Sequence, residues 1–449
     1  MKPQSKLPMI AISIGFFLVI MDVTMVIVAL PQLPQSLHSS VSQLQWVVDG
    51  YTLTFACFLL TAGYLGDLFG AKKMYLYGLA GFIITSLGCG LAPNAATLIS
   101  FRLLQGFFAS LLIPTSLTLI NNVYKEDKAR ASAIAFWASS GAIAAACGPV
   151  LGGILVNYYS WRSVFLVNLP VGIIAIYLSS RYTMDIVHKI QKVNFDIFGQ
   201  LLIIISIAAL SYSLIEAPNL GWTSSYIIWS FTLFILTFII FLFVEARQAY
   251  PMVDISLFKN PHFSASAVLG IFLSFGFYGF LFIMPLYLHT IKHFTPLQIG
   301  FALFPFTVLM LLGNILSGKM YGKYGARFPI LWGFAMSILG FLLLFVLVHN
   351  DLPYTIMIFP LLVMGMACAL IMPALTAVIL NAAPKSKAGF ASAMFNTSRQ
   401  LGSLLGVAVL GTIINMAPNL ILGMDISLLI AAAGYVVSVL LTLIFIKPN

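Results

Sequence analysis

The feature that most constrains this chain is a series of apolar runs, each long enough to cross a lipid bilayer. A membrane-crossing helix needs about 20 apolar residues, and runs of that size recur along the whole sequence. Because the bilayer interior offers no water to backbone groups, such runs form helices. The sequence predicts an all-α membrane protein with fourteen transmembrane helices, near residues 9–30, 45–66, 74–92, 97–120, 132–156, 161–180, 197–216, 225–244, 264–288, 298–317, 328–348, 354–380, 388–414 and 425–446.

The composition leaves no room for a soluble domain. Of the 449 residues, 61% are hydrophobic and 8% are charged, whereas soluble domains are about 25% charged. The four cysteines lie inside apolar runs without metal-ligand spacing, so we interpret them as packing residues and expect no metal or other cofactor. Lys2 and Lys6 precede the first run without a cleavage site, which favours a retained first helix over a signal peptide.

The basic residues predict the orientation. With a cytoplasmic N-terminus, the inside segments hold eighteen of the twenty-two Lys and Arg residues. Only Arg162 and Lys292 lie in outside loops, and Arg102 and Arg399 lie within spans. This bias predicts a multi-pass protein of the cell (inner) membrane with both termini cytoplasmic. It also explains the net charge of +10, so nucleic acid is not expected as a partner.

The chain contains an internal repeat. The loops after the second and tenth spans, Gly63–Lys73 and Gly318–Arg327, share two glycines seven residues apart, followed by Ala and a base. A second match has identical spacing in the fourth and twelfth spans, where Gly106, Pro114 and Asn122 correspond to Gly365, Pro373 and Asn381. The repeat predicts an N-terminal six-helix bundle at residues 1–181, two additional helices at 182–262 and a C-terminal six-helix bundle at 263–449.

Four charged residues are predicted to lie within spans. At 1.5 Å per residue, Asp22, Asp49 and Arg102 lie ~13, ~6 and ~7 Å below the outer surface. Arg399 lies ~16 Å from the inner surface by the same count. Ionisable groups at such depths are expensive and indicate function. These four residues are therefore the candidates for proton coupling and substrate binding.

Asp22 is the candidate proton switch. Desolvation favours the protonated form of a carboxyl group and an adjacent Arg favours the ionised form, so we expect Asp22 to pair with Arg102 or a cation in one state and to be protonated in another. A structural role remains open for each of Asp22, Asp49 and Arg102. The partner of Arg399 is Asp22, helix carbonyls or an anionic substrate. Because the four charges sum to zero, the residues do not decide the charge of the substrate.

Several short motifs occur in a consistent order. They are Asp22–Pro31, Gly63–Lys73, Arg102–Gly106, Gly148–Gly153, Trp161-Arg162, Asn168–Pro170 and Ser398–Gly402. Over its whole length the chain resembles the fourteen-span drug:proton antiporter branch of the major facilitator superfamily. It departs from that pattern at Ile27, where the family usually has Asn, and at Leu68, where it has a base.

The resemblance implies the major facilitator fold, with two six-helix bundles plus two inserted helices. It also implies a conformational latch in the loop after the second span, formed by Gly63, Asp67, Gly70, Lys72 and Lys73. The stretch associated with antiporters contains Gly148, Pro149, Gly152 and Gly153. Close helix packing explains those small residues equally well, and Lys72 and Lys73 also set the topology.

These observations predict a proton-coupled secondary active exporter of small lipophilic or cationic compounds, drugs included, that works as an antiporter by alternating access. The alternative is an exporter of one anionic or neutral metabolite or lipid, recognised by Arg399. The outer His289 and His293 have no acid beside them, and no Gly-rich loop ends in Lys-Ser or Lys-Thr, which argues against an enzyme and against an ATP-driven pump. The expected partners are a small-molecule substrate, protons and the lipid bilayer, and the chain is expected to act as a monomer.

Overall fold

The computed structural model describes residues 7–183, 196–248, 251–384 and 387–446. The regular structure in these ranges is helical, and fourteen helices have 15 residues or more. They are α1 (Leu7–Ala29), α2 (Val41–Phe69), α3 (Ala71–Gly90), α4 (Ala95–Val123), α5 (Asp127–Tyr158), α6 (Asn168–Tyr182), α7 (Ile197–Leu220), α8 (Ser225–Arg247), α9 (Pro261–Thr290), α10 (Pro296–Tyr324), α11 (Arg327–His349), α12 (Tyr354–Ala382), α13 (Ala388–Met416) and α14 (Leu420–Phe445).

The predicted count of fourteen spans is not confirmed. Within the described ranges, twelve helices are long and apolar enough to cross a membrane, so the chain is a multi-pass membrane protein. The two long helices outside this group are α3 and α10, and in α10 the described residues form a shorter apolar segment, Pro296–Met310. In α3, Lys72 and Lys73 lower the mean hydropathy near the start of the helix.

The chain divides into two compact units. The first comprises Met1–Phe195 with Thr295–Gly300, and the second comprises Asp196–Phe294 with Phe301–Asn449. Helices α1 to α6 therefore belong to the first unit. Helices α7 and α8 belong to the second, where they pack on each other and α7 also packs on α13. The finer division predicted at residues 182 and 262 stays a prediction.

Polar residues fix where several helices begin. Ser40 and Gln43 form a reciprocal capping box at the start of α2, in which each side chain binds the other residue's backbone N–H. The side chain of Asn94 caps α4 at Thr97 (2.9 Å), and that of Asn419 caps α14 at Leu422 (2.8 Å). Such caps satisfy N–H groups that the first turn of a helix leaves without partners.

A buried tyrosine joins helices in each unit. In the first, the hydroxyl of Tyr75 on α3 donates to the carbonyl of Ile12 on α1 (2.9 Å) and accepts from the N–H of Gly15 (3.1 Å). In the second, Tyr435 on α14 donates to the carbonyl of Leu273 on α9 (3.0 Å). Buried hydroxyl groups need such partners, so each tyrosine fixes the position of one helix on another.

The repeated glycines mark matching close approaches. A Cβ atom on Gly106 of α4 would lie 2.1 Å from the carbonyl oxygen of Tyr51 on α2. A Cβ atom on Gly365 of α12 would lie 2.0 Å from the carbonyl oxygen of Phe306 on α10. Small residues allow helix backbones to approach this closely. The sequence repeat therefore corresponds to the same helix contact made once in each unit.

We predict that Gly106→Ala and Gly365→Ala each lower the free energy of unfolding by about 1–3 kcal/mol, because the added methyl group forces two backbones apart. The measurement is thermal unfolding of the purified protein in detergent. Gly318→Ala is the matched control, since a Cβ atom there meets nothing within 4 Å, and alanine favours a helix over glycine by about 1 kcal/mol. Equal effects at all three positions would contradict the proposed contacts.

Candidate functional site

The centre of the candidate site is an ion pair inside the first unit. Asp22 on α1 and Arg102 on α4 are 0% and 1% exposed. One guanidinium nitrogen of Arg102, Nη1, lies 2.6 Å from Oδ2 of Asp22. The depths counted from the sequence placed both residues in the same half of the bilayer, and the structure brings them into contact.

Three uncharged side chains complete what we call the Asp22 network, which consists of Asp22, Ser86, Arg102, Gln105 and Asn168. Oδ1 of Asp22 accepts from the amide groups of Gln105 (3.1 Å) and Asn168 (2.8 Å). Both amides also donate to the hydroxyl of Ser86 on α3, at 2.7 and 3.1 Å. The carboxylate thus accepts three hydrogen bonds, one of them from the charged guanidinium group of Arg102.

Arg102 is held from its other sides as well. Its Nε donates to the carbonyl of Val47 on α2 (3.0 Å), and Nη1 also donates to Oε1 of Gln105 (2.7 Å). The guanidinium carbon lies 4.2 Å from the centre of the Tyr51 ring, a cation–π contact. The network therefore connects five helices of the first unit: α1, α2, α3, α4 and α6.

This arrangement makes ion pairing and protonation of Asp22 mutually exclusive. A proton on Asp22 removes the charge that compensates Arg102, whose guanidinium stays charged in proteins. Breaking a buried pair by removing one partner costs about 3–5 kcal/mol, because it leaves an uncompensated charge. A proton that reaches Asp22 therefore supplies a large driving force for α1 and α4 to change their contacts.

Asp49 lies on α2, two residues from both Val47 and Tyr51, which contact Arg102. It is 0% exposed, and its two carboxylate oxygens accept no hydrogen bond from the described part of the chain. The structure therefore distinguishes two acids that the sequence grouped together. Within the described residues, the carboxylate of Asp22 has three hydrogen-bond donors and that of Asp49 has none.

Arg399 lies on α13 in the second unit and is partly exposed. Its Nη1 is 3.5 Å from Oδ1 of Asn396, one helical turn away. Its Nε is buried and has no hydrogen-bond partner among the described residues. Within its own unit this cation is therefore only weakly satisfied, which leaves donor capacity for another group.

The glycine stretch of α5 packs against the segment of α1 that follows Asp22. A Cβ atom on Gly148 would lie 1.9 Å from Oγ1 of Thr24, and one on Gly152 would lie 3.0 Å from Cα of Met25. Pro149 lies inside the same helix, and Gly153 is the next residue after Gly152. These small residues let α5 approach α1 beside the ion pair.

In the predicted latch, α2 ends at Phe69 and α3 begins at Ala71, with Gly70 between them at a φ of 95°. This backbone conformation favours glycine. Nζ of Lys72 donates to the carbonyls of Ser180 (2.8 Å) and Thr183 (2.7 Å), and so caps the end of α6 in the same unit.

The other latch residues lie around this turn. The ammonium group of Lys73 is 5.8 Å from the centre of the Tyr77 ring. Asp67 is exposed on the last turn of α2, and Gly63 lies four residues before it on the same helix. The contacts of Lys72 join α3 to α6, so the structure supports a role for this turn in holding helices of one unit together.

The sequence analysis did not assign a role to Ser86, Gln105 or Asn168. Gln105 follows Arg102 at the i, i+3 spacing that puts two side chains on one helix face, and this spacing was a usable signal. Asn168 stands out as an amide near the start of a span. Ser86 offers no such signal, because single serines are common in transmembrane helices.

Comparisons with known proteins agree on one family. Residues 12–407 match the model described as Major Facilitator Superfamily. The chain is 36% identical over 441 residues to the "Methylenomycin A resistance protein" of Bacillus subtilis (strain 168), covering 98% of this chain and 94% of that protein. It is 35% identical over 414 residues to the "Multidrug resistance protein Stp" of Mycobacterium tuberculosis (strain CDC 1551 / Oshkosh), covering 92% of this chain and 76% of that protein.

A solved structure supports the same fold. The POT family transporter PepTSo aligns with a TM-score of 0.74 over 99% of both chains. Its sequence identity is 13%, so this likeness concerns the fold alone.

We predict that Asp22→Ala lowers the free energy of unfolding by about 3–5 kcal/mol, because Arg102 is left charged and buried. Adding Arg102→Met removes that charge, so the double variant should be more stable than Asp22→Ala alone. Thermal unfolding of the purified variants measures both effects as a double-mutant cycle. Ser13→Ala is the control, since this α1 hydroxyl is buried without a partner among the described residues. Additive losses would contradict the pairing.

Proposed function

Because the chain belongs to the Major Facilitator Superfamily, it is a transporter of small molecules and not an enzyme, and we propose that it exports lipophilic or cationic compounds, drugs included, in exchange for protons. The relatives named as resistance proteins support drug export. The observation that carries the proton coupling is the buried pair of Asp22 and Arg102. A single proton on Asp22 changes the charge balance of this buried network.

The transport cycle follows from that balance. In the conformation described here, Asp22 is ionised and its network holds five helices together. Protonation of Asp22 releases Arg102 and loosens α1 against α4, which permits the other conformation. Loss of the proton restores the pair. One charge that moves through a membrane potential gains about 2.3 kcal/mol per 100 mV, comparable to the cost of opening a buried pair.

Asp49 supplies a second proton site in this proposal. An ionised carboxylate that accepts no hydrogen bond in the membrane interior is very expensive, so Asp49 carries its proton in this conformation. In this conformation Asp22 is then ionised while Asp49 is protonated. One releases a proton while the other holds one, which suits an exchange of protons for substrate.

The motifs adjoining the network have mechanical roles in this proposal. The small residues of α5, Gly148, Pro149, Gly152 and Gly153, form the surface over which α1 moves. The turn with Gly63, Asp67, Gly70, Lys72 and Lys73 is the latch that favours one conformation, because Lys72 holds the end of α6.

The arrangement in the membrane is also part of the proposal. We assign fourteen spans, with α3 and α10 added to the twelve long apolar helices of the described ranges. The chain is a monomer of the cell membrane, with both termini in the cytoplasm and with α7 and α8 as an inserted pair between two six-helix bundles. The concentration of Lys and Arg in the inside segments supports this orientation.

A second candidate function is export of one anionic or neutral metabolite or lipid. The observation that favours it is Arg399, whose buried Nε has no partner among the described residues. An anionic substrate would supply the missing acceptor. Arg399→Gln separates the two candidates, because it should abolish transport of an anion and leave transport of a lipophilic cation intact.

The test of proton coupling is transport by protein reconstituted in liposomes, with tetraphenylphosphonium as the probe cation. An imposed pH gradient should drive uphill movement by the wild type. Asp22→Asn should reduce uphill movement to the level of protein-free liposomes and keep downhill movement, because Asn cannot exchange a proton.

The matched control for this test is Glu126→Gln, which neutralises an exposed acid before α5 and should transport like the wild type. Full uphill transport by Asp22→Asn would contradict the coupling role.

A further inference from the structure

Asp196 and Glu245 are buried acids of the second unit that the transport mechanism does not use. Asp196 immediately precedes α7, and Glu245 lies two residues before the end of α8. Asp196 is 5% exposed and Glu245 is 3% exposed. Because α7 and α8 are consecutive and pack on each other, the start of the first and the end of the second lie at the same end of the pair.

Each acid uses only one of its two oxygens. Oδ1 of Asp196 caps α7 by accepting from the N–H of Gly199 (2.8 Å). Oε2 of Glu245 accepts from the N–H of Val253 (3.1 Å), beyond the end of α8. The remaining oxygens, Oδ2 of Asp196 and Oε1 of Glu245, are buried and accept no hydrogen bond from the described residues.

The two unused oxygens face each other across a glycine. A Cβ atom on Gly199 would lie 2.2 Å from Oδ2 of Asp196 and 3.0 Å from Oε1 of Glu245. Both oxygens therefore lie within 3.0 Å of a single point. Both atoms are acceptors when ionised, so this arrangement is repulsive unless a proton lies between them.

We propose that Asp196 and Glu245 form a proton-binding site, called here the carboxyl pair, in which Glu245 donates a shared proton from Oε1 to Oδ2 of Asp196. The helix ends decide which residue is the donor. Asp196 lies at the N-terminus of α7, where the helix dipole stabilises a negative charge. Glu245 lies in the last turn of α8, where the dipole of that helix destabilises a negative charge. The ionised member is therefore Asp196, and the proton is covalently on Glu245.

Among the described residues, the other charged groups on the neighbouring elements do not replace the proton. Asp254 pairs with Lys387, and this ion pair, together with the hydroxyl of Ser256, holds the pKa of the Asp254 carboxyl below its usual value. Arg247 places its guanidinium carbon 3.9 Å from the centre of the Phe243 ring. Lys259 is exposed on the short helix that follows, and Arg399 on α13 contacts Asn396.

The carboxyl pair gives the inserted helices a role of their own. With one proton bound, the carboxyl pair holds the start of α7 against the end of α8. The topology predicts that this end of the two helices is cytoplasmic. When the pH rises and the proton leaves, two like charges face each other in a buried site, and this end opens. The site is separate from the Asp22 network, so it stands whether or not drug export is correct.

The sign of the pH dependence follows from proton linkage. Unfolded Asp and Glu side chains ionise near pH 4, while the folded pair keeps one proton at neutral pH. The folded state then binds more protons than the unfolded state, so stability falls as the pH rises. For the full-length protein in detergent, we expect the midpoint of thermal unfolding to decrease as the pH is raised from about 4 to neutral.

Two amide variants test the shared proton directly. In Glu245→Gln the side-chain amide donates to Oδ2 of Asp196 without a titrating proton, and in Asp196→Asn the new amide donates to Oε1 of Glu245. We expect each variant to lose one protonated-carboxyl band from the infrared spectrum at neutral pH. We also expect each variant to lose the decrease in the thermal unfolding midpoint that the carboxyl pair causes as the pH rises. The double variant should lose no second band, because the pair shares one proton.

Glu126→Gln, at an exposed acid, is the control and should lose no band. Gly199→Ala should also remove the band, because its methyl group occupies the space between the two oxygens. The proposal fails if Glu245→Gln leaves the infrared band in place. It also fails if Na⁺ or Ca²⁺ raises the midpoint of thermal unfolding of the wild type at neutral pH but does not change that midpoint in either amide variant. The carboxyl pair would then bind a cation and not a proton.

Discussion

The constraint on which this structure depends is the cost of keeping a charge where water does not reach. Asp22 and Arg102 compensate each other at 2.6 Å, and the amide groups of Gln105 and Asn168 donate to the other carboxylate oxygen of Asp22. A buried ion pair of this kind contributes little net stability, yet loss of one partner is very destabilising. Such a network therefore specifies one arrangement of helices strongly while its charges are balanced, and destabilises that arrangement when a proton removes the balance.

Close packing makes this electrostatic change mechanically useful. Gly148 and Gly152 bring α5 against the residues that follow Asp22, and Gly106 brings α4 against α2 beside Arg102. In packing this tight, a shift of one helix cannot be absorbed by loose side chains. The opening of the ion pair is consequently transmitted to the helices that carry it. This coupling of charge and packing is the physical content of the proposed transport cycle.

The sequence predicted the helices and the central pair because both depend on local signals. Apolar length identifies spans, and residue depth placed Asp22 and Arg102 in the same half of the bilayer. The count of fourteen is not confirmed, and in α3 the lysines Lys72 and Lys73 reduce the apolar signal at the start of the helix. Contacts between helices were harder to predict from the sequence. Nothing in the sequence indicates that Lys72 caps α6, that Ser86 joins the Asp22 network, or that Asp49 stays outside it.

Asp196 and Glu245 show the same limit, since 49 residues separate them and only the packing of α7 on α8 brings their carboxyl groups together. Their separation from Asp22 also means that proton binding at one place does not report on the other. The central claim concerns Asp22.

The most direct test of that claim is proton release by the purified protein when substrate is added, followed with a pH-sensitive dye across cations, neutral compounds and anions. The account predicts release on addition of a lipophilic cation by the wild type, and loss of that release in Asp22→Asn. Equal release by Asp22→Asn, or substrate binding by the wild type without any release, would contradict it.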